Sequence, residues 1–422
     1  MAQPAPAQRW TLVDAERYLL GLELFGMRFG LDRMRRLLTA LGQPQEHYPA
    51  IHVVGSNGKS STTRMTAAIL QRHGLRTGSY LSPHLVSFTE RVRVDDHDSA
   101  PEAFAAAVQR AAHGAEKVDR TLDPDDRVTQ FEALTAAALV ELADADVDVA
   151  VIEAGLGGRY DATNVLRSPV QVLTNVALEH TRWLGPTIAD IAEEKADVIK
   201  PGATVILGPD LHPDARAVAE RVAAERGALI GGRTPFFHIG GRSLPAYQQR
   251  NFGVAVEAAG AFLETLGREL EPDAVADAAA HVAVPGRFQV VEDGLVLDGA
   301  HNPAGMAALA EALPPFLGGR PLVAVVSILD DKDPAAMLAE LLPLCDQVVF
   351  ARITNPRALS PATLASLARQ LGGPAAHTER DARAAVELAR ELAGSEGVVL
   401  VTGSIYLLAD LLRPAGARGS SL

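Results

Sequence analysis

The chain has 422 residues, 48% of them apolar, a formal net charge of −13 and one cysteine, Cys345. This is long for one core and predicts two domains. The acidic balance argues against broad nucleic-acid binding, and a single cysteine allows no internal disulfide. Met1–Arg9 carries Pro and Gln where a secretory signal needs an apolar block. Glu141, Glu257 and Glu311 interrupt the longest apolar stretches, so the expectation is a cytoplasmic, monomeric protein off the membrane that handles small molecules.

Residues 11–42 read as helical, with a break at Phe29-Gly30-Leu31. Ile51-His52-Val53-Val54 reads as a buried strand, followed by Gly55-Ser56-Asn57-Gly58-Lys59-Ser60-Ser61 and a helix over 62–72. Strand, glycine turn, lysine, hydroxyl and helix start make a phosphate cradle. The usual pattern would put a glycine at Val53; here it is Gly55, so the turn is a shortened variant. A second strand over 76–81 runs into Ser82-Pro83-His84. Residues 95–127 read as acidic and irregular in places, and 131–142 as an apolar helix. The β-branched runs 147–152, 170–174 and 203–207 predict strands buried on both faces of a mainly parallel sheet. Pro285-Gly286-Arg287 reads as a hinge. Beyond it, strands over 295–298, 322–328, 347–351 and 397–402 alternate with helices and predict a smaller α/β domain. The expected division is 1–286 and 287–422, with residues 415–422 as a tail.

Open α/β sheets bind ligands beyond the carboxyl ends of their strands, so polar groups there carry weight. Glu153 closes the 147–152 strand and reads as a Mg²⁺ anchor, with a helix cap or an Arg159 partner as the alternatives. Gly155-Leu156-Gly157-Gly158-Arg159-Tyr160-Asp161 follows it. His180, in Glu179-His180-Thr181, is either a ligand or a histidine satisfied by a carbonyl. Lys195, in a charged helical stretch, reads on its own as a solvated surface lysine. In the second domain Asp298 could hold a ribose or a metal, and His301 and Asn302 phosphate or base, while an N-cap explains Asn302 nearly as well. A nucleotide-switch protein or simple ATPase is the reading from a different class.

The strings HVVGSNGKSST, SPHLVSFTERVRV, VIEAGLGGRYDATNV, LEHTRWLG, EEKADVIK, PGRFQVV, LDGAHNPAG and VTGSIYL occur in this order. Together they resemble the folylpolyglutamate synthase / dihydrofolate synthase family of the Mur ligase superfamily, over about residues 15–410. The resemblance implies an N-terminal P-loop ATPase domain and a Rossmann-like C-terminal domain. It implies that ATP phosphorylates a pteroate or folate carboxylate and that L-glutamate displaces the phosphate. Dihydropteroate and tetrahydrofolates are the implied substrates; a folylpolyglutamate-only enzyme is the near alternative, and a related Mur-type acid–amino acid ligase the more distant one. Carried over by position, Asn57, Gly58, Lys59, Ser60, Ser61, Asn251, Arg287, Asp298 and His301 are similar to the ATP contacts. Ser82, Glu153 and His180 resemble the ligands of Mg²⁺, of which two ions are expected. Lys195 resembles the lysine that CO₂ converts to a carbamate, and Lys59, His180 and Lys195 are the implied catalytic groups. Gly30, Leu31, Thr129, Gln130, Phe131, Arg159, Tyr160 and Asp161 resemble the pteroate pocket. The family commonly has Gly-Thr-Asn-Gly-Lys-Gly-Ser. Here Ser56 and Ser60 depart from it, and either Ser60 or Ser61 could face the metal.

Overall fold

Aliphatic runs without polar interruption need cover on both faces, and they form the inner strands of two sheets. The computed structural model describes residues 9–22, 30–232, 244–292 and 294–414. The first sheet comprises β1 (Ala50–Val54), β2 (Thr77–Tyr80), β3 (Val92–Val94), β4 (His97–Asp98), β5 (Val149–Glu153), β6 (Val170–Leu173), β7 (Thr204–Leu207) and β8 (Leu229–Gly231). Their order is β4-β3-β2-β5-β1-β6-β7-β8. Strands from β2 to β8 in that order pair in parallel, while β3 and β4 form an antiparallel edge. β1 is buried along its whole length between β5 and β6. Its carboxyl end therefore lies between Glu153, the last residue of β5, and Thr174-Asn175, the first residues after β6.

The second sheet comprises β9 (Gln289–Glu292), β10 (Leu295–Leu297), β11 (Leu322–Val326), β12 (Gln347–Ala351), β13 (Ala375–Glu379) and β14 (Val398–Thr402), in the order β13-β12-β11-β14-β10-β9. Only β9 pairs antiparallel. The fold is thus α/β, with a larger N-terminal domain and a smaller C-terminal one. Each has its own core: Leu37, Phe104, Leu134 and Ile152 belong to the first, and Met306, Val326, Leu338 and Phe350 to the second.

The chain divides between Val282 and Ala283, a few residues before the expected 286/287, and the second unit also takes residues 244–250. These are the start of the helix Ala246–Thr265 and its approach. Their side chains explain the assignment: the Tyr247 hydroxyl donates to Asp298 Oδ2 (2.6 Å), and Gln248 Nε2 donates to the Arg287 carbonyl (3.4 Å).

The 95–127 stretch is more ordered than its acidic composition suggests. Asp95 and Asp96 turn the β3–β4 hairpin with positive φ, and a 19-residue helix, Pro101–Asp119, follows. Phe104, Val108, Ala111 and Ala115 recur at helical spacing and are buried. That periodicity was present in the sequence, but the surrounding aspartates masked it. Among the described residues no helix is long and apolar enough to cross a membrane. Phe29 and the 415–422 tail lie outside the described residues.

Candidate active site

The turn after β1 is shaped by close approach. At Gly55 (φ +150°) a Cβ would lie 1.9 Å from Thr174 Oγ1, and at Gly58 (φ +82°) 2.5 Å from Asn251 Oδ1. Only glycine fits either position. Gly58 caps the helix Lys59–Arg72, which begins earlier than its hydrophobic pattern predicts. The turn is tied to the segment after β6: Ser56 N donates to Asn175 O (2.9 Å), Asn57 N to Asn175 Oδ1 (2.7 Å), and Thr174 Oγ1 to Asn57 O (2.7 Å). Lys59 Nζ donates to the carbonyls of Gly55 (3.0 Å) and Ser56 (3.2 Å). A lysine, a helix start and an inward-facing backbone suit a chain of phosphates.

Glu153 stands beside this turn, 1% exposed. Ser60 Oγ donates to its Oε1 (2.9 Å) and the Ser82 N–H to its Oε2 (3.2 Å). Ser60, not the buried Ser61, therefore faces the carboxylate. Glu153 is not the partner of Arg159, which pairs with Glu194 (2.9 Å) and Asp197 (3.4 Å). A carboxylate beside a serine hydroxyl is a hard-oxygen pair of the kind that fits Mg²⁺. His180 opens the short helix Thr181–Leu184 with φ 48°. Among the described residues no three or more His, Cys, Asp or Glu side chains form a metal cluster. The donors around Glu153 are of mixed type.

Lys195 is not the solvated surface lysine that its charged neighbours suggest; it is 1% exposed. Its Nζ donates to the Gly55 carbonyl (3.0 Å) and to Glu179 Oε1 (3.1 Å). Lys59 and Lys195 thus share one carbonyl of the phosphate turn. Burial alone would raise the Glu179 carboxyl, but Lys195, then Lys59 and His180, hold it down at about 2. Burial lowers the Lys195 ammonium pKa, and Glu179 opposes that only in part. Glu179 carried no role in the sequence reading beyond its cluster. A lone acid beside a histidine gives no sign that it meets a lysine sixteen positions on.

The loop after β5 runs between two further elements. At Gly155 a Cβ would lie 2.5 Å from Phe131 Cζ, and at Gly158 2.6 Å from the Glu194 carbonyl oxygen. Phe131 also lies 6.3 Å from the Tyr80 ring. Asp161 is buried and organises the loop from within. Its Oδ1 accepts from Thr163 N (3.0 Å) and Thr163 Oγ1 (2.5 Å), and its Oδ2 from Leu156 N (2.8 Å). Thr129 and Gln130 also have work inside the fold: Thr129 caps the helix Gln130–Asp144 in a capping box with Glu132, and Gln130 Nε2 donates to Leu19 O (2.8 Å). Tyr160 is 45% exposed. Gly30 (φ +127°) and Leu31 precede the helix Asp32–Ala40.

The second unit gathers its own cluster. Asp298 accepts from Tyr247 Oη (2.6 Å), Phe288 N (2.8 Å) and Ala300 N (2.8 Å). Arg287 Nη1 donates to Gly299 O (3.0 Å), and His301 Nδ1 lies 2.9 Å from the same oxygen. Burial raises the Asp298 pKa against the pull of Arg287. Asn302 caps the helix Pro303–Leu317, its Oδ1 accepting from Gly305 N (2.7 Å), so the capping alternative describes it.

Two family descriptions match the chain: "Mur ligase middle domain" over residues 53–212 and "Mur ligase, glutamate ligase domain" over 286–405. The chain is 36% identical over 406 residues to the dihydrofolate synthase/folylpolyglutamate synthase of Mycobacterium tuberculosis, covering 86% of this chain and 82% of that protein. It belongs to the folylpolyglutamate synthase / dihydrofolate synthase family of Mur ligases. Solved structures agree. The M. tuberculosis folylpolyglutamate synthase complexed with ADP superposes with a TM-score of 0.87 at 32% identity, covering 94% of this chain and 96% of that one. The bifunctional enzyme of Yersinia pestis complexed with AMPPNP and Mn superposes at 0.83 and 31%, covering 97% and 99%. As a member of this family the chain is an ATP-dependent ligase.

Proposed function

We propose that the protein joins the amine of L-glutamate to the carboxylate of dihydropteroate, and to the glutamate tail of tetrahydrofolates, at the expense of ATP. One observation carries this reading: the turn after β1 is bonded on one side to the buried Lys195–Glu179 pair, through the Gly55 carbonyl that Lys59 shares, and on the other to Glu153 at the end of β5, through Ser60. The bifunctional names of the M. tuberculosis and Y. pestis relatives support both substrate classes, and the nucleotides and Mn in the relatives' structures support the cofactors.

In this reading Asn57 to Ser61 and Asn251 are the first unit's nucleotide contacts, and Arg287, Asp298 and His301 are the second unit's. Ser82, Glu153 and His180 would hold Mg²⁺, and a carbamate on Lys195 would support a second ion. When bound, the metal neutralises phosphate charge. The substrate carboxylate attacks the γ-phosphorus, ADP leaves, and an acyl phosphate results. The glutamate amine then attacks the acyl carbon, phosphate leaves, and the amine's proton passes to solvent. Lys59 offsets the charge gathering on the transferred group. Gly30, Leu31, Thr129, Gln130, Phe131, Arg159, Tyr160 and Asp161 form the pterin side. The Phe131 ring offers a flat face.

Purified protein with ATP, Mg²⁺ and L-glutamate is expected to release ADP and form a glutamyl amide with either dihydropteroate or tetrahydrofolate. Turnover with tetrahydrofolate alone reduces the function to folylpolyglutamate synthesis. ADP release that ignores both pterins overturns the proposal in favour of a simple ATPase.

A further inference from the structure

His52 is the middle residue of β1, fully buried, and has no part in the chemistry above. Its Nε2 lies 2.7 Å from Thr163 Oγ1, and that hydroxyl donates to Asp161 Oδ1 at 2.5 Å. A hydroxyl has one proton. Thr163 gives its proton to Asp161, so Nε2 must carry the hydrogen toward Thr163. The tautomer is then fixed, with Nδ1 bare and buried without a hydrogen-bond partner. Burial first, then the charge of Lys200, lowers the imidazole pKa to about 3, so the ring is a neutral donor rather than a cation.

The line His52–Thr163–Asp161 ends on Leu156 N, which Asp161 Oδ2 accepts at 2.8 Å. It closes the 155–161 loop. The loop backbone is pressed against the Phe131 ring at Gly155. At its other end Arg159 N donates to the Glu194 carbonyl (2.8 Å), one residue before Lys195. A donor in the centre of β1 therefore sets how the loop spans Phe131 and the helix carrying Lys195.

We propose that His52 is a positioning residue, acting through Thr163 and Asp161 to hold the 155–161 loop in the form that presents Phe131 to the pterin. This rests on the assignment of those residues to the pterin side. The strand does not require a histidine here for packing, since β1 is otherwise aliphatic with Ile51, Val53 and Val54. A buried imidazole with one orphaned nitrogen costs stability, and a specific donor role offsets that cost.

The test uses the full chain with His52→Leu, which removes the donor, His52→Gln, which keeps an N–H at similar reach, and Thr163→Val, which removes the relay hydroxyl. Hydrogen exchange over 154–164 is read without substrate. Steady-state rates then give separate KM values for dihydropteroate or tetrahydrofolate and for ATP. His52→Leu and Thr163→Val are each expected to speed exchange at Leu156 by about tenfold or more, and to raise the pterin KM by about tenfold with the ATP KM unchanged. The double variant should be no worse than either single one, and His52→Gln should stay within about threefold of the parent. Unchanged exchange in Thr163→Val, or His52→Gln as impaired as His52→Leu, overturns the relay. Faster exchange with an unaltered pterin KM overturns the positioning role. A parent enzyme that turns over no pterin fails the proposed function instead, and leaves the exchange result readable.

Discussion

Glu179 and Lys195 show how much the chemistry of a single residue depends on its surroundings. Water would cover both side chains in an isolated segment; here they share a dry site beside the phosphate turn. Removing one partner of a buried pair leaves the other charge uncompensated, which is far costlier than losing a surface pair. Glu179→Gln is therefore expected to cost about 3 kcal/mol of stability, and Glu193→Gln, on the exposed face of the same helix as Lys195, less than about 1 kcal/mol. Urea unfolding compares them directly, and equal losses would contradict the burial argument. At this scale the sequence was informative for Lys59, whose glycines and serines flank it in one string. It placed Glu179 only in a strand-end cluster, because its partner Lys195 lies on the helix Ile188–Ala196, while Thr174 and Asn175 bond to the turn after β1. The only cue to Thr174 and Asn175 was that polar residues directly follow a buried apolar run.

Elements place these residues through their ends. β1, β5 and β6 are buried and regular, and the functional groups begin where their apolar runs stop. The loop after β5 is packed so tightly that its glycines act as contact surfaces. Gly155 has no positive φ, and the nearest atoms an alanine Cβ there would meet are those of the Phe131 ring. Gly155→Ala should displace that ring and raise the pterin KM by about tenfold, the effect of roughly 1.4 kcal/mol, while ADP affinity measured by calorimetry stays unchanged. Equal loss of ADP affinity would show that the substitution disturbs the whole strand end. The capping boxes at Thr129 and Thr187 follow from local sequence alone, since cap and acid stand three residues apart. The helix over 101–119 was missed for a local reason too: aspartates at its flanks suggested irregular chain, while its buried stripe kept helical spacing.

Across the whole molecule, one buried carboxyl couples stability to pH. Glu141, on the helix Gln130–Asp144, accepts from Ser99 Oγ. Burial raises its pKa to about 7, with Ser99 opposing and Asp144 adding to the rise. The folded chain then holds a proton that the unfolded chain releases near its ordinary 4.5. This contribution is fully present below that value and is lost as pH rises through about 7. Folding free energy should fall by up to about 3 kcal/mol between pH 5 and 8, and Glu141→Gln should flatten that slope. Parallel pH profiles for the two proteins would overturn the assignment.

Local patterning alone determined the class of fold, the alternation of strand and helix in both domains, and the phosphate turn. Each of these follows from neighbours along the chain: apolar periodicity, glycine spacing and a lysine beside hydroxyls. Tertiary structure decided that Lys195 is buried against Glu179, that Ser60 rather than Ser61 meets Glu153, and that residues 244–250 belong with the second unit. It also decided that His52 reaches Asp161 through Thr163. These outcomes depend on which strands lie side by side, and parallel pairing joins residues about a hundred positions apart whose contact no local pattern encodes.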